Sequence, residues 1–335
     1  MRPSYLAKRT GQAIFTIFVV VSISFGMIRL IPGGPLDYLQ SQMIQQGMNP
    51  TQAREFASAY VNVRPDEPLY IQYLDYMSAV FLDLDFGKSI IFSEPVADIV
   101  FRALPWTLFV MTMALSLGFF LGIALGGVMA LYEGGRFDIG ATLTTLLANS
   151  VPYYIVALLA LLFFSYNLGW FPTSGRYPGG VEVGVNAAFI IGIFYHAALP
   201  VASLVVTAVG GTAISMRANS INIIGTDYLR VAQLRGIAPS RLALRYVTYN
   251  AVLPLYTSLM ISLGAMFGGS VILEQIFRYQ GLGYYFFTAI SARDYPLLMG
   301  SFILTTSAIV IGIMIADFTY GMIDPRISVA GDGHE

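Results

Sequence analysis

Six stretches of this chain are apolar over about 20 residues or more, which limits its fold more than any other feature. They cover residues 11–31, 105–131, 139–168, 188–214, 248–273 and 297–321. A helix needs about 20 mostly apolar residues to cross the hydrocarbon layer of a bilayer. The sequence therefore predicts an all-α integral membrane protein with six transmembrane helices.

The composition agrees with a membrane protein. Charged residues make up 11% of the chain, against about 25% in soluble domains. The chain has no cysteine, which excludes disulfides and thiolate chemistry, and its two histidines, His196 and His334, lie far apart in the sequence, so we expect no metal site. The net charge of −1 carries no information about a nucleic-acid partner, and we expect none.

The apolar stretches divide the chain into four regions. We predict an N-terminal tail with an uncleaved first helix, an extracytoplasmic segment, a core with five membrane helices, and a cytoplasmic tail, at residues 1–31, 32–104, 105–321 and 322–335. The extracytoplasmic segment begins with a helix breaker at residues 31–35 and has two amphipathic stretches, about 50–62 and 67–82. It either caps the helix bundle or contacts a soluble partner, and the sequence leaves both readings open.

The distribution of basic residues predicts the orientation. Ten of the eighteen lie on the side of the N-terminus: Arg2, Lys8, Arg9, Arg136, Arg217, Arg230, Arg235, Arg241, Arg245 and Arg326. The two short loops on the other side hold Arg176, Arg278 and Arg293. Because cytoplasmic loops are enriched in Lys and Arg, we expect both termini in the cytoplasm.

Glycines at four-residue spacing in the second apolar stretch indicate close helix packing. They are Gly118, Gly122 and Gly126. Small residues let helix backbones approach closely in lipid, so we interpret them as ordinary packing positions.

A polar loop between the fourth and fifth apolar stretches, residues 216–250, has the pattern of a helix outside the membrane. Thr226 or Asp227 can cap the free N–H groups at a helix start, and residues 228–235 follow as a short helix. Gly236 suits a left-handed C-terminal cap. Such a helix can enter a groove on a soluble partner, although an ordinary basic cytoplasmic loop has the same charge pattern.

This loop resembles the cytoplasmic coupling loop of ABC importer permeases of the dipeptide/oligopeptide group. The matching residues are Asp227, Tyr228, Arg230, Ala232, Gly236 and Pro254. Further similar motifs follow in order along nearly the whole chain: Ile31-Pro32-Gly33, Leu104-Pro105-Trp106, Ser150-Val151-Pro152, Leu168-Gly169-Trp170, Arg293-Asp294-Tyr295-Pro296 and Asp324-Pro325-Arg326. The chain is therefore identified as a member of this group of binding-protein-dependent permeases.

The resemblance implies a type I ABC importer permease fold in the cytoplasmic (inner) membrane of a prokaryote. It implies half of a translocation pathway for peptides or similar small solutes, surrounded by membrane lipid. The implied partners are a second homologous permease, two ABC ATPases and an extracytoplasmic substrate-binding protein. Oligosaccharides remain an alternative substrate, as do glutathione and nickel, and the lack of cysteine disfavours nickel. The resemblance makes the matching loop residues the ATPase-coupling element, with Pro254 breaking or kinking the helix where the loop meets the fifth span.

The chain itself has no sign of a nucleotide site. Gly87-Lys88-Ser89 imitates the end of a phosphate-binding loop, but the first glycine of that motif is replaced by Leu82. We therefore expect a transport subunit that is no enzyme and holds no cofactor, with ATP and Mg²⁺ bound by partner ATPases. An ion-coupled secondary transporter is the rival from another class. It would need buried carboxylates near the middle of the membrane, and the apolar stretches offer none.

The loop Glu274–Pro296 is a second candidate site. It lies on the predicted outer side and contains Glu274, Gly281, Gly283 and Asp294. We interpret it as a possible outer gate or as a contact for the binding protein.

Overall fold

The computed structural model describes residues 3–30, 35–60, 67–238 and 241–323, and these residues are mostly helical. The helices, numbered in chain order, are α1 Pro3–Leu30, α2 Pro35–Gln45, α3 Pro50–Tyr60, α4 Leu69–Ser78, α5 Val96–Leu131, α6 Arg136–Ser150, α7 Tyr153–Ala160, α8 Ala187–Ile224, α9 Asp227–Leu234, α10 Tyr249–Ala265, α11 Val271–Ile276, α12 Leu282–Ala292 and α13 Tyr295–Ile323. π-helical segments cover Ala79–Asp83, Leu161–Asn167 and Leu242–Thr248. The predicted all-α fold class is confirmed.

Five helical stretches are long and apolar enough to cross a membrane, and a bent pair of helices supplies a sixth. The five are Ala7–Met27, Val96–Leu131, Ala187–Ile224, Arg245–Gly268 and Tyr295–Ile315. The bent pair consists of α6 and of α7 with the π-helical segment after it. Within the described residues, each of the six predicted spans has its counterpart.

Two of these helices are longer than the apolar stretches that predicted them. α5 begins at Val96, so Pro105 lies inside the helix and does not begin it. α8 has 38 residues, about 57 Å at 1.5 Å per residue, whereas the hydrocarbon layer is about 30 Å thick. The predicted coupling loop, residues 216–250, therefore starts as a continuation of α8 up to Ile224. Hydropathy detects only the part of a helix that lies in lipid, which is why both boundaries were placed wrongly.

The third predicted span, residues 139–168, is wrong as a single continuous helix. α6 ends at Ser150, Val151 is extended with φ −88° and ψ 122°, and the pair bends by 91°. Pro152 causes the break, because it has no N–H to donate and disfavours a helical backbone in the residue before it.

Short helices occupy the described part of the segment between the first and second spans. The predicted stretch 50–62 corresponds to α3, and the stretch 67–82 corresponds to α4 with the π-helical segment after it. α2 was not predicted. Most of the predicted helix breaker, residues 31–34, lies outside the described residues.

The chain forms two compact units, of which the first comprises residues 1–108, 267–275 and 280–335. In this unit α1 packs along α13, and α12 packs on α13. A buried cluster joins the start of α5 to α12 and α13: Val96, Ile99, Val100, Ala103, Leu282, Tyr285, Ala289 and Leu297.

The second unit comprises residues 109–266 and 276–279, and α8 is its central helix, in contact with α6, α7 and α10. A Cβ added at Gly118 would lie 3.1 Å from the Cβ of Ala208, and one added at Gly126 would lie 2.7 Å from the Cβ of Met216. Ala208 and Met216 both belong to α8. The predicted packing role of these glycines is confirmed.

Candidate functional site

The predicted coupling helix is α9, which starts at Asp227 and ends at Leu234. The left-handed end predicted at Gly236 is confirmed, since this residue has φ 72°. The side-chain cap predicted for Thr226 is not formed, because its hydroxyl donates to the carbonyl of Ile223 at 2.6 Å. Asp227 lies in the first turn, where a carboxylate interacts favourably with the helix dipole.

One face of α9 is buried within the loop itself. Leu229 and Ala232 form a small core with Leu242 and Val247 of the following π-helical segment. Ala232 therefore points toward the core of its own loop, and its small side chain serves the fit between α9 and that segment. This packing holds α9 in a defined orientation.

The opposite face of α9 exposes an apolar stripe. Tyr228, Val231 and Leu234 are exposed and spaced by three residues, and Leu234 is 83% exposed. Arg230 and Arg235 are exposed beside them. Val231 and Leu234 were not among the predicted site residues, although three apolar residues at this spacing outside the membrane spans were a signal for them.

Pro254 lies inside α10, which continues past it, so the predicted break is wrong and the predicted kink stays a prediction. A proline cannot donate to the preceding turn and its ring crowds the carbonyls there. Asn219 of α8 donates its side-chain N–H to the carbonyl of Ala251, in the turn before this proline, at 3.0 Å. This bond joins α8 to α10 directly beside the coupling loop.

A bidentate ion pair joins α8 to α6 two residues before Asn219. The Nε and Nη2 of Arg217 donate to the two carboxylate oxygens of Asp138 at 2.5 and 2.7 Å. The N–H of Gly134 also donates to Asp138, at 2.9 Å. Two parallel charge-assisted bonds fix both distance and orientation, so the end of α8 that leads into α9 is tied to two neighbouring helices.

The second candidate site is built around Glu274, which is 2% exposed. Its carboxylate accepts hydrogen bonds from the hydroxyl of Thr107 at 2.7 Å and from the N–H of Tyr284 at 3.1 Å. The Thr107 hydroxyl accepts from the N–H of Leu282 at 2.8 Å. The first N–H groups of a helix have no partner inside it. Glu274 and Thr107 together therefore cap α12 from two other helices.

Gly281 and Gly283 allow this close approach. A Cβ at Gly281 would lie 2.5 Å from a carboxylate oxygen of Glu274 and would also meet the hydroxyl of Thr107. A Cβ at Gly283 would lie 2.6 Å from the Cα of Val271, so the backbone would have to shift. Both glycines thus fit α12 against α11 and its cap.

Asp294 repeats the arrangement at the start of α13. Its carboxylate, in a residue 1% exposed, accepts from the hydroxyl of Ser89 at 2.6 Å and from the N–H groups of Ile91 and Leu297, both at 3.1 Å. It therefore caps α13 and also holds the turn before α5. Gly87-Lys88-Ser89, which imitates part of a phosphate loop, contributes Ser89 to this network.

The structure thus places Glu274 and Asp294 in two buried capping networks. Sequence reasoning missed Thr107 and Ser89, which hold them. Neither carboxylate is at the surface to touch another protein, so their task is to shape the segment Glu274–Pro296. A role for that segment as a gate or as a contact for the binding protein stays a prediction.

Burial raises the pKa of the Glu274 carboxyl to about 7, although its hydrogen bonds with Thr107 and with the N–H groups of Tyr284 and Gly283 oppose the shift. Its helix, α11, lies outside the candidate spans. The folded protein therefore binds this proton more tightly than the unfolded chain does.

We expect this proton to make stability depend on pH. Because the folded pKa is raised, the stabilisation by the protonated carboxyl is full below about pH 4.5 and is lost as the pH rises to about 7. The thermal midpoint of the wild type should therefore fall relative to that of Glu274→Gln, which cannot titrate, over this interval. A difference between the two midpoints that stays constant from pH 4.5 to 8 would contradict the expectation.

Apolar helices long enough to span a membrane, with the short helix α9 outside them, agree with the fold expected of a type I ABC importer permease. The structure is similar to that of the MetNI methionine ABC transporter in an inward facing conformation, with a TM-score of 0.51 and 19% identity over 69% of this chain and 97% of that chain. The model of the family "Binding-protein-dependent transport system inner membrane component" matches residues 122–329, and the chain belongs to this family.

The curated relatives match over nearly their whole length. The oligopeptide transport system permease AppB of Bacillus subtilis is 31% identical over 97% of this chain and 99% of the relative. The di/tripeptide permease DppB of Pseudomonas aeruginosa is 29% identical over 97% of this chain and 98% of the relative. The dipeptide permease DppB of B. subtilis is 29% identical over 98% of this chain and 99% of the relative. The predicted family is confirmed, and the chain is a multi-pass permease subunit of the inner membrane that works with a binding protein.

Proposed function

We propose that this chain forms half of the translocation pathway of an ABC importer for peptides or similar small solutes. The permeases that it resembles over nearly the whole chain are named for oligopeptides, dipeptides and tripeptides. A second homologous permease supplies the other half, two ATPases hold ATP and Mg²⁺, and a binding protein delivers the solute from outside. Both termini and α9 lie in the cytoplasm, as the basic residues indicate.

The observation that carries the proposal is the exposed face of α9. Tyr228, Val231 and Leu234 form an apolar stripe with Arg230 and Arg235 at its edges, while the other face is held by the loop's own core. An apolar stripe that is held in place and bordered by arginines suits docking into a groove of an ATPase. Displacement of α9 then reaches α8 directly, and reaches α6 and α10 through Arg217 and Asn219.

Gentle detergent purification from the native membrane, followed by mass spectrometry, tests this assignment. We expect a homologous permease and one or two chains with complete phosphate-binding loops to accompany this chain. Reconstituted with the binding protein, the complex should take up di- or tripeptides in preference to oligosaccharides. Active transport by this chain purified alone would overturn the proposal.

The exposed stripe yields a direct prediction. Leu234→Glu should reduce the amount of ATPase that co-purifies about tenfold or more, because a charge replaces an apolar contact worth more than about 1.4 kcal/mol. Leu234 is 83% exposed, so the fold itself should tolerate the change.

The matched control is Val185→Glu, at a position 100% exposed in the loop before α8. It adds the same charge outside the proposed interface and should leave ATPase recovery unchanged. Equal losses in the two variants would refute docking at the α9 stripe.

A further inference from the structure

Pro152, at the bend between α6 and α7, differs from three prolines that lie inside the described membrane helices. Pro105, Pro200 and Pro254 lie within helices that continue past them. At Pro152 the helix instead stops, with an extended Val151 and a bend of 91°. We call residues 149–153 the elbow.

The elbow lies at membrane depth. α6 has 15 residues, about 22 Å of helix, which is shorter than the hydrocarbon layer of about 30 Å. No charged residue occurs anywhere from residue 139 to residue 175. A helix that enters the membrane near Asp138 therefore ends before it has crossed.

The elbow leaves backbone groups without partners. Among the described residues, no hydrogen bond reaches the carbonyl oxygens of residues 148–151, and the N–H of Val151 donates to none. The contrast with Pro254 is direct, because Asn219 donates to a carbonyl of the turn before that proline. Among the described residues of the unit, no neighbouring helix supplies such a donor at the elbow.

The elbow is also exposed and polar. Asn149, Ser150, Val151 and Pro152 are all exposed on this chain, and Ser150 uses its hydroxyl locally, on the carbonyl of Leu146. On its inner side the end of α6 is seated on α8, where a Cβ at Gly210 would lie 3.1 Å from the Cβ of Asn149. The elbow is thus held firmly on one side and open on the other.

Exposed backbone groups without partners do not face lipid, because hydrocarbon offers them no hydrogen-bond partner. Non-helical backbone at membrane depth is found where it lines a water-filled cavity or is buried in protein. Asn149 and Ser150 are polar and exposed, which favours water over a dry interface.

We propose that the elbow lines the aqueous solute path, with the carbonyls of residues 148–151 facing the passing solute. This inference rests on the proposed import function. Free carbonyls at the C-terminal end of a helix carry partial negative charge. They suit a solute rich in N–H donors, such as the ammonium group and amides of a short peptide.

The chain has no natural cysteine, so single cysteines can be introduced without removing others. The substitutions are Asn149→Cys and Ser150→Cys, each made separately. Each variant importer is assembled with its partner subunits, reconstituted in lipid vesicles and supplied with ATP. Leu158→Cys is the matched control, because Leu158 is an exposed residue within the regular helix α7 of the same span. The probe is methanethiosulfonate ethyltrimethylammonium, a positively charged thiol reagent that does not enter lipid.

We expect both elbow cysteines to react about tenfold or more faster than Leu158→Cys, because the reactive thiolate forms only where water reaches the thiol. Trialanine, delivered by the binding protein, should slow the elbow reactions and leave the control unchanged.

Reaction rates at both elbow positions no higher than at Leu158→Cys would overturn the inference, even when the wild-type importer transports peptides. If both cysteines react rapidly but the wild type takes up no peptide, the lining of the path is supported and the proposed solute class fails. The two failures are thereby distinguished.

Discussion

Gly236→Val is expected to weaken the coupling between ATP hydrolysis and transport strongly while the chain still inserts into the membrane. Gly236 has φ 72°, and an added Cβ would have nothing within 4 Å. The effect therefore comes from the backbone alone. A left-handed conformation costs an ordinary L-residue about 1–2 kcal/mol, and valine is worse because it is β-branched. The end of α9 should move, and the docking face with it.

The measurements are peptide uptake, solute-stimulated ATP hydrolysis and recovery of the ATPases with the permease. We expect uptake to fall about tenfold or more, in line with a cost above about 1.4 kcal/mol. Gly236→Asn should retain much more activity, because asparagine tolerates the left-handed region. Gly180→Val provides the matched control, since Gly180 has φ 80° and equally open surroundings but lies far from α9 in the sequence. Normal uptake by Gly236→Val would refute the docking assignment.

Among Glu274→Ala, Thr107→Val and Glu94→Ala, the first is expected to give the largest loss of stability. Removing this buried carboxylate leaves the hydroxyl of Thr107 and the N–H of Tyr284 without their acceptor. Each buried donor left unpaired costs about 1–3 kcal/mol, and a cavity adds to this, so the free energy of unfolding should fall by about 3–5 kcal/mol. Thermal unfolding in detergent measures the change.

Glu94→Ala is the control for this variant. Glu94 forms a pair with Arg102 at 2.6 Å, but both side chains are about half exposed, and exposed pairs contribute less than about 1 kcal/mol. Thr107→Val should reproduce part of the Glu274→Ala effect, because it removes the relay from Glu274 to the N–H of Leu282. Equal stability of Glu274→Ala and Glu94→Ala would contradict the capping role.

The architecture was predictable because lipid imposes one simple rule on the backbone. Apolar stretches long enough to span must be helices, and their number follows from hydropathy alone. Two boundaries were wrong for the same reason, since the ends of α5 and α8 lie beyond the apolar residues that hydropathy detects. The break at Pro152 could not be told from the sequence, because Pro105 and Pro254 stand in similar apolar surroundings and their helices continue.

The candidate sites were predictable in position and only partly in architecture. The position of α9 and the left-handed Gly236 follow from local signals, which act over a few residues. The hydrogen-bond partners of the Glu274 and Asp294 carboxylates do not follow from local signals. Thr107 is 167 residues from Glu274 in the sequence, and Ser89 is 205 residues from Asp294. No local pattern reveals such pairing, so the capping roles of Glu274 and Asp294 were not predicted, and their assignment to an outer gate or a binding-protein contact stays a prediction.

The length of α8 sets the scale of movement that transport requires. One uninterrupted helix of 38 residues runs from the loop ending at Asn186 to the residues just before α9. Over about 57 Å of helix, a rotation of about 5° displaces one end by about 5 Å relative to the other. A displacement of a few ångströms imposed at α9 thus corresponds to a few degrees of tilt.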